Sequence, residues 1–378
     1  SGETVRMMSS LPSRSQEEIR EICAGFAIYG DFLVAVPFGS GHINDTYQVT
    51  YDQGGVRLHY TLQRINHSVF KKPEQVMENI DRVTAHLLNK IRSRGEETRK
   101  RTLRLLRTFS NRPFVQDKRG DYWRAYVFVE NARSYDVLES PKQAYLAARA
   151  FGEFQCDLVD LPGKRLHETI PDFHHTPKRV DALLEAVAED RVGRAAGVRR
   201  EVDFVMKRRD ETELLLKLHA QGAIPERITH NDTKSNNILI DDLTGEGVCV
   251  IDLDTVMPGL SLYDFGDMVR GGTSPAEEDE VNLDKVGMRF EMFEALLRGF
   301  LSSAGEFLTE AERENLPFSG KLITLETGIR FLTDYINGDV YFKTRRPNHN
   351  LERCRNQFRL VESIERQMDR MSSLLLDA

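Results

Sequence analysis

From Thr229 to Asp241 the chain reads THNDTKSNNILID, and a second run, VCVIDLDTVMPGLSLYDFGD, begins at Val248. Together they set Asp232, Asn237 five residues on, and Asp252 twenty residues after the first, around segments of strand-like composition. Phosphoryl transfer asks for this kit: one carboxylate facing the acceptor hydroxyl and two oxygen ligands for Mg2+. An alcohol is a weak nucleophile, and an aspartate accepting its hydrogen bond both aims the oxygen and takes the proton. Asp232 is the candidate for that work. Asn237 offers a neutral oxygen and Asp252 a charged one, both suited to a hard divalent cation. Each alone would be an ordinary loop residue, Asp232 for instance an Asx-turn former. The three together point to an ATP-dependent kinase.

The flanking residues read less sharply. His230 is expected to brace the loop backbone rather than move a proton. Asp254 either faces the phosphates or hydrogen-bonds the loop. Asp264 and Asp267 read as helix-start and loop-tethering acids. Gly39-Ser40-Gly41 could bring backbone N–H groups close to phosphates, although a plain hairpin turn has the same composition. No G-x-x-x-x-G-K-[ST] occurs, which excludes a Walker-type loop. His174-His175 has no acid or cysteine at ligand spacing and is not read as a metal site.

Composition narrows the class. A net charge of −7 argues against a nucleic-acid binder, and the arginine-rich stretch from Arg92 to Arg107 is broken by Glu96 and Glu97. Four scattered cysteines in 378 residues predict buried, reduced thiols rather than a disulfide frame. No apolar run approaches the ~20 residues that span a bilayer, and the N-terminal stretch lacks the apolar core of a signal peptide. A cytoplasmic monomer is expected.

Patterning supplies the architecture. A capping box at Ser15–Glu18 starts a helix reaching about Gly25. Strands are predicted over Phe32–Phe38, Asp45–Tyr51, Arg57–Ile65, Leu103–Ser110 and Tyr122–Glu130. A helix from Pro73 carries Val76, Ile80, Val83, Leu87 and Ile91 at helical period. Ser140-Pro141 opens a helix to about Val159, a long helical stretch covers Glu201–Gln221, and Thr309 caps a short helix. Val286, Phe290, Phe293, Leu297 and Phe300 share one helix face, as do Phe358, Val361, Ile364, Met368, Met371 and Leu375 in the last helix. The expected fold is α+β, two-lobed and protein-kinase-like. Residues 1–131 would form a small antiparallel-sheet lobe covering the nucleotide, and residues 132–378 a larger helical lobe carrying the catalytic loop.

The Asp232–Asn237–Asp252 set, with Gly39–Gly41 ahead of it, resembles the aminoglycoside phosphotransferase (choline-kinase-like) superfamily. Segments GSGHINDTYQV, VTAHLLNKI, THNDTKSNNIL, VIDLDTVMPGLSLYDFGD, LPFSGKLITLETGIRFLTDYINGDVYF and NHNLERCRNQFRLVESIE are similar to the N-acetylhexosamine 1-kinases, from about Gly25 to Gln367. The resemblance implies ATP, Mg2+ and a sugar phosphorylated at its anomeric hydroxyl. It also implies a sugar pocket from His42, Asn44, Arg330 and Tyr341, with adenine against the backbone near Phe128 and Val129. The wider superfamily also acts on choline, homoserine, methylthio sugars and aminoglycosides. Where kinases carry an ATP-binding lysine this chain has Gln63-Arg64, and an Arg64 ion pair to Glu74 or Glu78 is expected in its place.

Overall fold

A computed structural model describes residues 14–39, 44–97 and 100–376. Two compact units divide the chain: residues up to Asp81 with Leu103–Val129, and Arg82–Thr102 with the chain from Glu130 onward.

Among the described residues, the first unit holds a five-stranded antiparallel sheet in the order β1-β2-β3-β5-β4. Its strands are β1 (Asp31–Pro37), β2 (Asp45–Gln53), β3 (Val56–Arg64), β4 (Val115–Gln116) and β5 (Tyr122–Val127). Helix α1 (Gln16–Cys23) starts at the predicted capping box: Ser15 Oγ accepts from Glu18 N at 3.2 Å, and the Glu18 carboxylate from Ser15 N at 2.9 Å. Ile19, Phe26, Val49, Leu62 and Trp123 form the core of this unit. The predicted strand Leu103–Ser110 is absent. The segment makes isolated bridges instead, Leu105 to Tyr126 and Thr108 to Phe26, because its hydrogen bonds are shared between two different neighbours.

Helix α2 (Pro73–Ser93) begins in the first unit, yet its residues from Arg82 belong to the second. Its C-terminal half is tied down by His86 Nε2 to the Asp157 carbonyl (2.9 Å) and Lys90 to Asp160 (2.6 Å), and Arg101 N donates to Val248 O (2.8 Å).

The second unit is mostly helical: α3 (Pro141–Leu158), α4 (Thr176–Glu189), α5 (Arg199–Met206), α6 (Leu214–Ala220), α7 (Ser261–Gly272), α8 (Phe290–Ala304), α9 (Glu310–Glu314), α10 (Leu316–Ile336) and α11 (His349–Ser373). It also carries β6 (Ala132–Arg133), β7 (Arg227–Thr229), β8 (Ile238–Asp241), β9 (Gly247–Val250) and β10 (Met257–Gly259). Strands β6, β8 and β9 form one sheet; β7 and β10 pair separately. Helix α4 was not predicted. The stretch expected as one helix over 201–221 is broken, because Lys207–Glu211 is a run of five charges with no apolar stripe to bury. Arg208 folds back onto the Phe204 carbonyl and Glu365, and Lys321 pairs with Glu211.

Phe151, Phe265, Phe293 and Phe300 centre one core, and Val180, Ile329, Leu332, Phe358 and Val361 another. Cys23, Cys249 and Cys354 are buried, Cys156 is exposed, and all four are unbridged. Among the described residues no helix is long and apolar enough to cross a membrane. Close helix packing sets the register of α7, since a Cβ on Gly266 would lie 2.3 Å from the Ser319 carbonyl of α10. Gly266→Ala is therefore expected to cost about 1–3 kcal/mol of stability, read as a lowered denaturation midpoint in urea.

Candidate active site

Two nested antiparallel ladders build the site. Thr229 on β7 pairs with Met257 on β10, and inside that pair Ile238 on β8 faces Val250 on β9. The chain between β7 and β8 is the loop 230–237, and that between β9 and β10 is 251–256. Nesting makes the two loops face each other, and Ile251 N donates to Asn237 O at 2.9 Å. The sequence spacing of Asn237 and Asp252 is thus the span of one hairpin.

The loop 230–237 is held from beneath by Asp264 in the first turn of α7, as the reading of that acid as a tether anticipated. This buried carboxylate accepts from His230 N (2.9 Å), Asn231 N (2.7 Å) and Gln155 Nε2 (2.7 Å). Burial pushes its carboxyl up, and these donors oppose the shift. They hold Asn231 at φ 67°, a left-handed conformation that non-glycine residues adopt at a cost. His230 is a brace: Asp232 N donates to Nδ1 (3.2 Å) and Nε2 donates to Ile251 O (2.8 Å), so neither nitrogen is left for proton transfer. Asp267 pairs with Arg270 (2.7 Å) within α7.

Asp232 projects from this loop with its side chain partly exposed. Asn237 Nδ2 donates to the Asp232 carbonyl (2.7 Å) and carboxylate (3.1 Å), leaving Asn237 Oδ1 without a hydrogen bond among the described residues. The Asp252 carboxylate also has no hydrogen bond or ion pair there. Burial and the charges of Asp254 and Asp232 raise its pKa to about 6, against the pull of His230 and Lys234. An amide oxygen and a carboxylate left open beside a second carboxylate make the hard-oxygen donor set that Mg2+ takes. Asp252, at φ 58°, is the second left-handed residue of the site. Asp254 is buried, and its carbonyl accepts from Thr169 Oγ1 at 2.7 Å.

Lys234 was not singled out in the sequence. Its Nζ lies 3.6 Å from Asp232 Oδ1, and the Asp232 charge raises its pKa. A cation two residues past the candidate base was the available signal. His174 was also missed as a site residue, having been weighed only as a metal ligand. Its Nε2 donates to the Asn231 carbonyl (2.9 Å) and its Nδ1 meets Glu326 at 2.6 Å. Both nitrogens face acceptors, so the imidazolium is the form that satisfies both. Burial opposes that charge, but the Glu326 carboxylate outweighs it and raises the His174 pKa. Arg330, four residues beyond Glu326, lies over the rings of Phe173 (5.1 Å), Tyr341 (5.8 Å) and Phe342 (5.4 Å).

The remaining predicted residues lie in the first unit. Gly39 is at φ +81° in open space, the conformation a close turn needs. Ser40, Gly41 and His42 are outside the described residues. Asn44 Oδ1 accepts from Asn66 N at 2.9 Å. Phe128 packs its ring on Phe38 (5.2 Å) and, like Val129, is half-buried. Arg64 does not pair with Glu74 or Glu78. Its Nε donates to Asp45 across the β2–β3 ladder (2.9 Å), and Nη1 reaches Asp121 (3.4 Å), acids that adjoining strands bring nearer than α2. Gln63 instead holds the buried Arg124, accepting from its Nε at 2.9 Å.

Residues 34–294 match the APH phosphotransferase enzyme family. The chain belongs to that family. It is a small-molecule phosphotransferase acting on alcohol-type acceptors. Three solved structures share its fold. An aminoglycoside phosphotransferase from Alicyclobacillus acidocaldarius is 12% identical, with TM-score 0.58 and 98% of each chain covered. A spectinomycin phosphotransferase in complex with ADP and spectinomycin is 13% identical, with TM-score 0.55, covering 95% of this chain and 99% of that one. A choline kinase from Cryptosporidium parvum is 14% identical, with TM-score 0.54, covering 96% and 99%. The shared architecture is the expected α+β fold, an antiparallel-sheet N-terminal region followed by a helical C-terminal region.

Asp264→Asn leaves one of the two loop amides facing a donor. The phosphotransferase kcat is expected to fall about a hundredfold through misplacement of Asp232, measured at a temperature where circular dichroism shows the variant folded.

Proposed function

We propose that this phosphotransferase moves the γ-phosphoryl group of ATP to the anomeric C1 hydroxyl of an N-acetylhexosamine, N-acetylglucosamine or N-acetylgalactosamine, giving the sugar 1-phosphate and ADP. The observation that carries the kinase chemistry is the convergence of Asp232, Asn237 and Asp252 through the paired hairpin loops. The sugar assignment rests on the segment resemblance, and on Arg330 already occupying the aromatic rings that could otherwise cage a cationic acceptor.

In this mechanism Asp232, aimed by Asn237 Nδ2, accepts the hydrogen bond of the C1 hydroxyl and takes its proton as the oxygen attacks phosphorus. Asn237 Oδ1 and the Asp252 carboxylate hold Mg2+, which when bound neutralises charge on the phosphoryl oxygens. Lys234 adds a cation beside the transferred group. Gly39 offers its backbone N–H to phosphate, and the backbone at Phe128–Val129 holds adenine. Arg64, saturated by Asp45 and Asp121, stiffens the nucleotide-covering sheet. Arg330 and Tyr341 of the second unit hydrogen-bond the sugar.

The test is ADP release across N-acetylglucosamine, N-acetylgalactosamine, choline and kanamycin. Turnover of the two amino sugars is expected, and a preference for choline or kanamycin would end the sugar reading. Asp232→Asn should lower kcat about a thousandfold with ATP affinity nearly unchanged; near-normal turnover would remove Asp232 from its role.

A further inference from the structure

Glu326, Arg330 and Asp334 stand on helix α10 at successive four-residue intervals. Residues four apart stand one above the other on a helix, so the three share a face. Glu326 and Asp334 are buried, and each is committed to a different loop.

Glu326 is fully enclosed. One carboxylate oxygen meets His174 Nδ1 (2.6 Å), and the other accepts from Thr176 Oγ1 (2.9 Å). Through His174 Nε2 it reaches the Asn231 carbonyl, one residue before Asp232. Asp334 faces the other way along the chain. Its carboxylate collects three successive backbone donors, Val340 N (2.9 Å), Tyr341 N (2.8 Å) and Phe342 N (3.0 Å), together with Asn350 Nδ2 (2.8 Å). Asn350 also bonds Asp339, which Arg194 holds from the opposite side. The result pins the backbone of Tyr341 while the residue as a whole remains 53% exposed. Burying a carboxylate to fix the backbone of an exposed aromatic is costly for a mere connection, but is what a contact residue requires. Between these two acids lies Arg330, whose guanidinium rests on Phe173, Tyr341 and Phe342 and makes no hydrogen bond or ion pair among the described residues.

We propose that Glu326 and Asp334 are positioning residues that bracket the acceptor site on one face of α10 and divide its work. Glu326, through His174, sets the loop that carries Asp232 and so governs the chemical step. Asp334, through the 340–342 backbone, sets Tyr341 and Phe342 around Arg330 and so governs acceptor binding. The inference rests on the reading of Arg330 and Tyr341 as acceptor contacts.

Steady-state kinetics of Glu326→Gln, Asp334→Asn and Arg330→Ala with N-acetylglucosamine test it. Glu326→Gln should lower kcat about ten- to a hundredfold with acceptor KM nearly unchanged, and Asp334→Asn should raise acceptor KM about tenfold with kcat nearly unchanged. Arg330→Ala should also raise KM. If Arg330→Ala raises KM while Asp334→Asn leaves it at the parent value, or if both acid variants lose kcat alike, the division of labour is overturned. If Arg330→Ala leaves KM unchanged, the acceptor-site reading fails and the inference goes with it. Should N-acetylglucosamine not be phosphorylated, the sugar reading alone fails, and slow ATP hydrolysis to water decides. Glu326→Gln must then lower that rate and Asp334→Asn must not; any other pattern overturns the proposal. His174→Gln replaces Glu326→Gln, with the same expected result, if the latter does not fold.

Discussion

The buried carboxylate of Asp264 is the interaction on which the loop 230–237 depends. It takes the two successive N–H groups of His230 and Asn231, donors that would otherwise be orphaned in the interior. With those bonds in place Asn231 can stay in a left-handed conformation that costs about 1–3 kcal/mol on its own. Thr233 Oγ1 donates to the Asp264 carbonyl and Thr255 Oγ1 to the His230 carbonyl, so the two facing loops are stitched to α7 and to each other. The register of α7 follows from glycine contacts with α10, and from there the constraint spreads through the helical unit.

Charge is distributed unevenly across this unit. Asp232, Asp252 and Asp254 crowd one side of the loops, and their mutual repulsion is part of what raises the Asp252 pKa. Such a cluster gains from a cation, and Lys234 supplies a partial one. Near Phe173 the sign reverses. Arg179 and Arg330 approach each other there, and with burial the Arg330 charge lowers the Arg179 pKa. Glu326 and His174 lie between these regions as a paired, buried charge. Burial would raise the Glu326 carboxyl, but His174, Arg179 and Arg330 hold it below the usual carboxylate range.

Much of this was legible from residue types. The capping box at Ser15 and the Ser140-Pro141 helix start are local signals with local causes, and the structure has both. The offsets among Asp232, Asn237 and Asp252 were readable in the sequence, and the strand pairing of β7 with β10 and β8 with β9 brings the loops that carry them together. Less local features escaped. The Leu103–Ser110 segment has strand composition, but its partners lie on two sides, and pairing is not a property of the segment itself. The break in the 201–221 helix depends on Arg208 reaching Glu365 and on Lys321 reaching Glu211, contacts more than a hundred residues away in the chain.

The sequence by itself determined which polar side chains the two facing loops carry, since carboxylate and amide stand at fixed offsets along them. It also determined the fold class, because hydrophobic period switches from strand-like to helical near residue 140. Tertiary structure alone decided what supports those atoms. His174 looked like half of a His-His pair and became the link between Glu326 and the Asn231 carbonyl; Asp334, which carries no local signal, became the anchor for Tyr341. Arg64 was expected to reach a helix and was claimed by Asp45 on the neighbouring strand. In each case the partner was chosen by proximity in the folded chain, and a buried polar group takes the nearest group that can satisfy it.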